Sequence, residues 1–185
     1  KVLSPWNVSL VGMVPSADDL DIPSINDLEI LFGSKALNKE RLLYRSVRRF
    51  PKFELVTASL RGFMELLANR PDFNNSCFLT HATRHDIILG MLSNSAESAY
   101  GPNPFLGCLL LTGSPPGNVP DWYLLEYICA SDMPVMSVGM STTQTLAKLK
   151  GYTPKMNAGD SERTASVVQH YAPYLNIDKL LKLMR

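Results

Sequence analysis

Three short polar segments hold the residues of this chain that could do chemistry. They are Thr83–Asp86 (TRHD), Thr112–Ser114 (TGS) and Ser141–Thr143 (STT). A helix N-terminus presents unpaired N–H groups and partial positive charge, and an adjacent arginine adds a planar fork for phosphate or carboxylate. The sequence therefore predicts a small anion site, with these ligand-binding residues: Arg84, Asp86, Thr112, Gly113, Ser114, Thr142 and Thr143. The alternative is that the segments are ordinary helix caps and that Arg84 pairs with an acidic neighbour.

Other kinds of site find little support in the sequence. Neither G-x-x-x-x-G-K-[ST] nor G-x-G-x-x-G occurs, and Gly33-Ser34-Lys35 follows a helix, whereas a Walker loop follows a strand. There is no G-x-S-x-G elbow, and the cysteines lie in apolar runs. His81 and His85 have a metal-like spacing without a third ligand nearby, so solvated histidines are the favoured interpretation. We expect no catalytic residue, no metal and no cofactor in this chain.

Four strand–turn–helix units must position the polar segments. Their strands are predicted at Phe53–Val56, Cys77–Thr80, Leu106–Leu111 and Val135–Val138. A helical pattern follows each strand, which is typical of a parallel sheet with covering helices. The expected fold is α/β, a three-layer sandwich with a mostly parallel sheet. Because ligands of such sheets bind at the carboxyl ends of the strands, the turns should lie side by side.

Apolar spacing and capping residues place the helices. After a first helix between Ser24 and Gly33, they are predicted at Ser59–Asn69, Asp86–Asn94, Asp121–Ala130, Thr142–Leu149, Ser161–Tyr171 and Ile177–Leu183. Asp86 is expected to cap its helix, and the helix at 121–130 is expected to bury Tyr123 and Tyr127 beside Leu124 and Ile128.

The N-terminal part is predicted to form an arm that packs on the α/β core. A strand at Asn7–Val14 and a short helix at Lys39–Tyr44 belong to it, together with the first helix. The predicted domains are therefore an arm of residues 1–50 and an α/β domain of residues 51–185. Because the chain starts at Lys1 rather than Met, we expect it to be a piece of a longer protein.

Composition narrows the choice of partners and compartment. Hydrophobic residues make up 45% and charged residues 19% of the 185, with a net charge of +1, so neither a nucleic-acid stripe nor disorder is expected. No apolar run approaches the roughly 20 residues of a membrane span. Cys77, Cys108 and Cys129 are expected to be reduced, buried thiols, which favours an intracellular protein, either cytoplasmic or organellar.

The order of these segments resembles the DRTGG domain, which lies in the middle of long phosphate acetyltransferases after a P-loop, dethiobiotin-synthetase-like region. THATRHDII, residues 80–88, stands where the family has TPGDRxDII, and LLLTGS, residues 109–114, stands where it has LILTGG. VSLVGMVP, residues 8–15, resembles the last strand of the P-loop-like region. Further similar segments are Ala36–Leu43, Phe53–Leu67, Pro134–Thr145 and Asp160–Leu183.

Two acidic positions of the family pattern are neutral here. The Asp of the naming motif is Thr83, and the Asp of the family's Asp-Thr-Tyr turn is Ser141, while Ser114 replaces the second Gly of TGG. A pocket that binds its ligand through those acids would bind it weakly, differently or not at all in this chain.

The resemblance implies a non-catalytic regulatory or oligomerisation domain of a phosphate-acetyltransferase-like protein. Its implied partners are a second copy or other domains of the parent enzyme, and an anionic metabolite or nucleotide, with neither nucleic acid nor membrane. Arg84 would hold the anion, Asp86 would cap its helix or pair with Arg84, and further N–H donors would come from Thr112, Gly113, Ser114 and Thr143. The alternative is a purely structural subunit of a larger assembly whose pocket has degraded.

Overall fold

A computed structural model describes residues 9–38, 48–113, 121–156 and 160–183. These residues form two compact units, one running from Ile22 to Pro154 and the other combining the residues up to Asp21 with those from Lys155 onward. The predicted helix at Lys39–Tyr44 and most of the turn after Thr112, including Ser114, lie outside the described residues. The predicted domain division at residue 50 stays a prediction.

The larger unit alternates helices and strands. In chain order these are α1 Ile25–Phe32, β1 Lys52–Leu55, α2 Leu60–Asn69, β2 Ser76–His81, α3 His85–Ser98, β3 Cys108–Thr112, α4 Trp122–Ala130, β4 Val135–Ser137 and α5 Thr142–Lys150. The described strands form a four-stranded sheet in the order β1-β2-β3-β4, and every pair is parallel. The predicted α/β fold is confirmed.

Helices cover both faces of this sheet. Because right-handed crossovers connect successive neighbouring strands, α2, α3 and α4 all lie on one face. Their apolar side chains pack there against Phe78, Leu109, Leu111 and Val135. On the other face α1 and α5 supply Ile25, Leu28 and Leu149, which pack against Cys77, Leu79, Cys108, Leu110 and Met136. The sheet is thus the middle layer of three, as the sequence predicts.

Local signals explain several helix boundaries. Ser24 caps α1 in a reciprocal box with Asp27, and Gly33 ends that helix in the left-handed conformation, at φ 62°. Ser59 caps α2, and Ser141 caps α5 with Gln144 as its box partner. These predicted starts and stops are confirmed.

Helix α3 differs from its prediction at both ends. It continues to Ser98, four residues beyond Asn94, because Ser93 and Ser98 form hydrogen bonds within the helix and Phe105 N–H donates to Ser98 Oγ. Asp86 does not cap the helix. Arg84 occupies the N-cap position without a side-chain capping bond, because a guanidinium has no acceptor for the helix N–H groups; it donates to the Asp86 carboxylate instead.

Two burial predictions are also wrong. Helix α4 buries Leu124 and Ile128, which lie one turn apart on a single stripe, whereas Tyr123 and Tyr127 lie on its flank and Tyr127 is 61% exposed. Cys77 and Cys108 are buried, but Cys129 is exposed.

The smaller unit is built from α6 Ser161–Tyr171, α7 Ile177–Leu183 and short 3-10 turns at Asp18–Asp21 and Ala172–Tyr174. The strand predicted at Asn7–Val14 is not formed over its described part. Gly12 makes only an isolated antiparallel bridge to Leu175, beside a 3-10 turn that offers no strand to pair with. None of the described large apolar side chains of this unit is among the buried ones.

Among the described residues, no helix combines the length and apolar character needed to cross a membrane. The compartment stays a prediction.

Candidate functional site

Hydrogen bonds bring the three polar segments together at the carboxyl edge of the sheet. His81, the last residue of β2, is in register with Thr112, the last residue of β3, and Ala82 N–H donates to Thr112 O at 2.9 Å. The hydroxyls of Thr112 and Thr142 share a hydrogen bond of 2.7 Å. Gly113 N–H donates to Met140 O at 2.8 Å, so the segments after β2, β3 and β4 are direct neighbours. We call this set of segments the carboxyl rim.

Gly113 and His81 are fitted to each other within the rim. Gly113 has φ 77°, a conformation that side chains rarely adopt, and a Cβ at this position would collide with the His81 imidazole. The His81 ring is held from the other side, because its Nδ1 accepts the Thr83 N–H at 3.3 Å and lies 2.8 Å from Thr83 Oγ1. An accepting Nδ1 places the ring proton of neutral His81 on Nε2. The positive φ therefore favours glycine at 113, and any side chain there would have to displace the exposed His81 ring.

The guanidinium of Arg84 already forms hydrogen bonds with other groups of this chain. Its Nε and Nη2 donate to the two Asp86 carboxylate oxygens at 2.9 Å each, and Nη2 also donates to Ala58 O at 3.0 Å. The hydrogen bond from Arg84 lowers the pKa of Asp86, and the same bond raises the pKa of Arg84. The pairing of Arg84 with an acidic neighbour, expected under the alternative, is observed. Their side chains are 30% and 44% exposed, so solvent reaches the pair.

The remaining predicted residues that the structure describes lie at the start of α5 and at the carboxyl end of β3. Thr142 begins α5 and bonds Thr112, whose hydroxyl also donates to Thr80 O at 3.2 Å. Thr143 follows on the same helix with an exposed side chain. Thr80 Oγ1, at the end of β2, is buried and has no hydrogen-bond partner among the described residues. The rim thus makes the predicted segments neighbours, while the Arg84 guanidinium is directed to Ala58 O, in the turn after β1.

His85 forms a cluster that the sequence analysis missed. Its Nδ1 is 2.8 Å from the Tyr123 hydroxyl, and its Nε2 is 3.6 Å from Asp121 Oδ2. A solvated histidine was expected here, but His85 contacts two residues at the start of α4. Both helices begin at the same edge of adjacent strands, and that adjacency was the available signal. Among the residues that the structure describes, no group of three His, Cys, Asp or Glu could hold a metal ion.

Comparison with known proteins finds a distant similarity. The chain is 25% identical over 169 residues to the phosphate acetyltransferases of Escherichia coli (strain K12) and Shigella flexneri. The alignment covers 91% of this chain, which spans 22% of the length of these relatives. No family model matches the chain. The DRTGG resemblance stays a prediction, and a distant relation to phosphate acetyltransferases is what the similarity supports.

Proposed function

We propose that this chain is a DRTGG-like regulatory and assembly region of a phosphate-acetyltransferase-like protein, with no catalytic residue of its own. The observation that carries the proposal is the similarity over 91% of the chain, combined with the meeting of the Arg84, Gly113 and Thr142 segments at one rim. In this proposal the rim binds an anionic metabolite or nucleotide. The chain contributes contacts to a second copy or to other domains of its parent enzyme.

Anion binding at the rim requires Arg84 to leave Asp86. A solvent-exposed ion pair contributes about 0–1 kcal/mol, so breaking the Arg84–Asp86 pair to bind an incoming anion costs little free energy. The displaced carboxylate would still repel the anion, and the Gly113 N–H is already bonded to Met140 O. In the proposed site Arg84 provides the positive charge, which becomes available to an anion only when its ion pair with Asp86 opens.

The alternative function is a purely structural module. It is favoured by the internal hydrogen bonds of the rim, which already use the Arg84 fork, the Gly113 N–H and the Thr112 hydroxyl. A rim whose donors are satisfied within the chain stabilises the loops and needs no ligand.

A thermal-shift screen separates the two functions. Acetyl phosphate, pyruvate, NADH and nucleotides are added to the purified chain and to its Arg84→Gln and Asp86→Asn variants. At ten times the dissociation constant a ligand stabilises by about 1.4 kcal/mol, a shift of about 3–6 °C. We expect Asp86→Asn to strengthen binding and Arg84→Gln to weaken it by about 1.5–3 kcal/mol. If no anion shifts either the unmodified chain or Asp86→Asn, the structural module is the better description.

The assembly role is tested by size-exclusion chromatography with light scattering. It is supported by large apolar side chains that the described residues expose, such as Trp122 at 80%, Tyr127 at 61% and Ile177 at 50%. We expect a homo-oligomer, and a monomer across the micromolar range would contradict self-association of this chain.

A further inference from the structure

A cleft opens at the edge of the sheet opposite the carboxyl rim. It has a volume of about 730 Å³ and lies between the C-terminal halves of α3 and α4. Pro104–Leu106, just ahead of β3, and Ser131–Asp132, just ahead of β4, also line it. It is therefore separate from the Arg84 segment, which follows the other ends of the strands. We call it the amino-edge cleft.

The walls of the amino-edge cleft are mostly apolar. Leu89 and Leu92 of α3, Tyr127 of α4 and Leu106, ahead of β3, line it, together with the small side chains of Ala96, Ala99 and Ala130. Leu89, Leu106 and Tyr127 are 39%, 43% and 61% exposed, so they present apolar surface to water. Covering such surface gains about 25 cal/mol per Å², and a cleft of this volume falls in the range of small-molecule sites. The walls thus suit a hydrocarbon body.

One end of the cleft carries a positive charge that is poorly hydrated. Arg48 lines it, and its Nη1 donates to Asp132 O at 2.9 Å. Burial lowers the pKa of Arg48, and the nearby charge of Asp132 offsets this only in part. An added anion would restore the interaction that the guanidinium loses by leaving water. With a single described cation and a carboxylate beside it, the cleft is unsuited to a polyphosphate.

We propose that the amino-edge cleft binds an amphipathic monocarboxylate. Its hydrocarbon body lies between Leu89, Leu106 and Tyr127, and its carboxylate accepts hydrogen bonds from the Arg48 guanidinium. Ser93 and Ser95 of α3 also line the cleft. This inference does not depend on the function proposed for the carboxyl rim.

Isothermal titration of the whole chain with decanoate tests the proposal, with decanol as the uncharged probe of the same chain length. We expect decanoate to bind, Arg48→Gln to weaken it at least tenfold, and Arg48→Lys to retain most of the affinity. Decanol should bind Arg48→Gln and the unmodified chain equally. Ala96→Trp, which fills the cleft from an exposed helix position, should remove binding of both probes.

The matched control is Arg61→Gln, which removes an exposed arginine of α2 outside the cleft and should leave decanoate binding unchanged. Circular dichroism confirms that each variant is folded. The proposal is overturned if the folded, unmodified chain binds no decanoate, or if Arg48→Gln or Ala96→Trp binds it as tightly as the unmodified chain does.

Discussion

Replacing Gly113 by alanine should destabilise the protein through two separate effects. The first is conformational, because an alanine at φ 77° is in the left-handed region, which costs about 1–2 kcal/mol. The second is steric, because the new Cβ would collide with the His81 imidazole. Because His81 is exposed, its ring can swing into solvent, and the added cost is then that of the hydrogen bond with Thr83 that it gives up, about 0.5–1.5 kcal/mol. The sum is a loss of about 1.5–3.5 kcal/mol in the free energy of unfolding.

A double-mutant cycle with His81→Ala separates these effects. His81→Ala alone loses the hydrogen bond with Thr83, worth about 0.5–1.5 kcal/mol. In the double variant the collision is gone, so only the conformational cost and the lost hydrogen bond remain. We therefore expect the double variant to be about 0.5–1.5 kcal/mol more stable than the two single losses added together, because both single variants give up the same His81–Thr83 hydrogen bond.

Urea unfolding followed by circular dichroism measures all four proteins of the cycle. Gly62→Ala is the matched control, because Gly62 lies inside α2 without a left-handed φ and its nearest obstacle, Ser59 Oγ, is 3.6 Å from the added Cβ. It should be neutral or stabilising. An unchanged stability of Gly113→Ala, or strictly additive losses in the cycle, would refute the fit of glycine to histidine described above.

Three further predictions concern the rim and the thiols. Because Arg84 lowers the pKa of Asp86 in the folded state, the pair stabilises the protein at pH values above the unfolded pKa of about 3.9, and this stabilisation is lost as the pH falls through the folded pKa. The free energy of unfolding of Asp86→Asn, measured by urea titration, should therefore differ less between pH 7 and pH 3 than that of the unmodified chain. Thr112→Val should cost about 1–3 kcal/mol, because it leaves Thr142 Oγ1 without this partner, and an unaltered urea midpoint would contradict it. Cys129 should react with dithiobisnitrobenzoate in the native state, whereas the two buried thiols should react only on unfolding; rapid reaction of all three would contradict their burial.

Features set by neighbouring residues were predictable from the sequence. The Ser24–Asp27 and Ser141–Gln144 boxes and the stop at Gly33 depend on residues three to nine positions apart, and the structure has each of them. The order of alternating strands and helices was likewise enough to predict the parallel sheet and the side-by-side turns.

Features set by distant residues were not predictable in this way. The sequence is compatible with an Arg84 side chain that binds an anion and with one that pairs with Asp86. Its orientation is fixed in part by a hydrogen bond to Ala58 O, which belongs to a different turn and could not be foreseen from residues near Arg84. The His85–Tyr123 hydrogen bond joins residues 38 positions apart. The exposure of Tyr127 follows from which stripe of α4 meets the sheet, and a helix that is apolar on several sides does not reveal that choice.

The strand order explains why the two edges of the sheet differ. Ligand crevices of open parallel sheets form where the strand order reverses, and the four described strands run β1-β2-β3-β4 without a reversal. At the carboxyl rim the successive turns consequently lie against one another and satisfy their own hydrogen bonds.

The walls of the amino-edge cleft come from the C-terminal halves of two helices. Ser95 and Ala96 of α3 line one side, and Tyr127 and Ala130 of α4 line the other. Removing the last turn of α3 should therefore remove one wall of the cleft. Deleting one helical turn of α3 ahead of Ser98 should abolish decanoate binding while the Thr112–Thr142 contact, and with it the effect of Thr112→Val, persists.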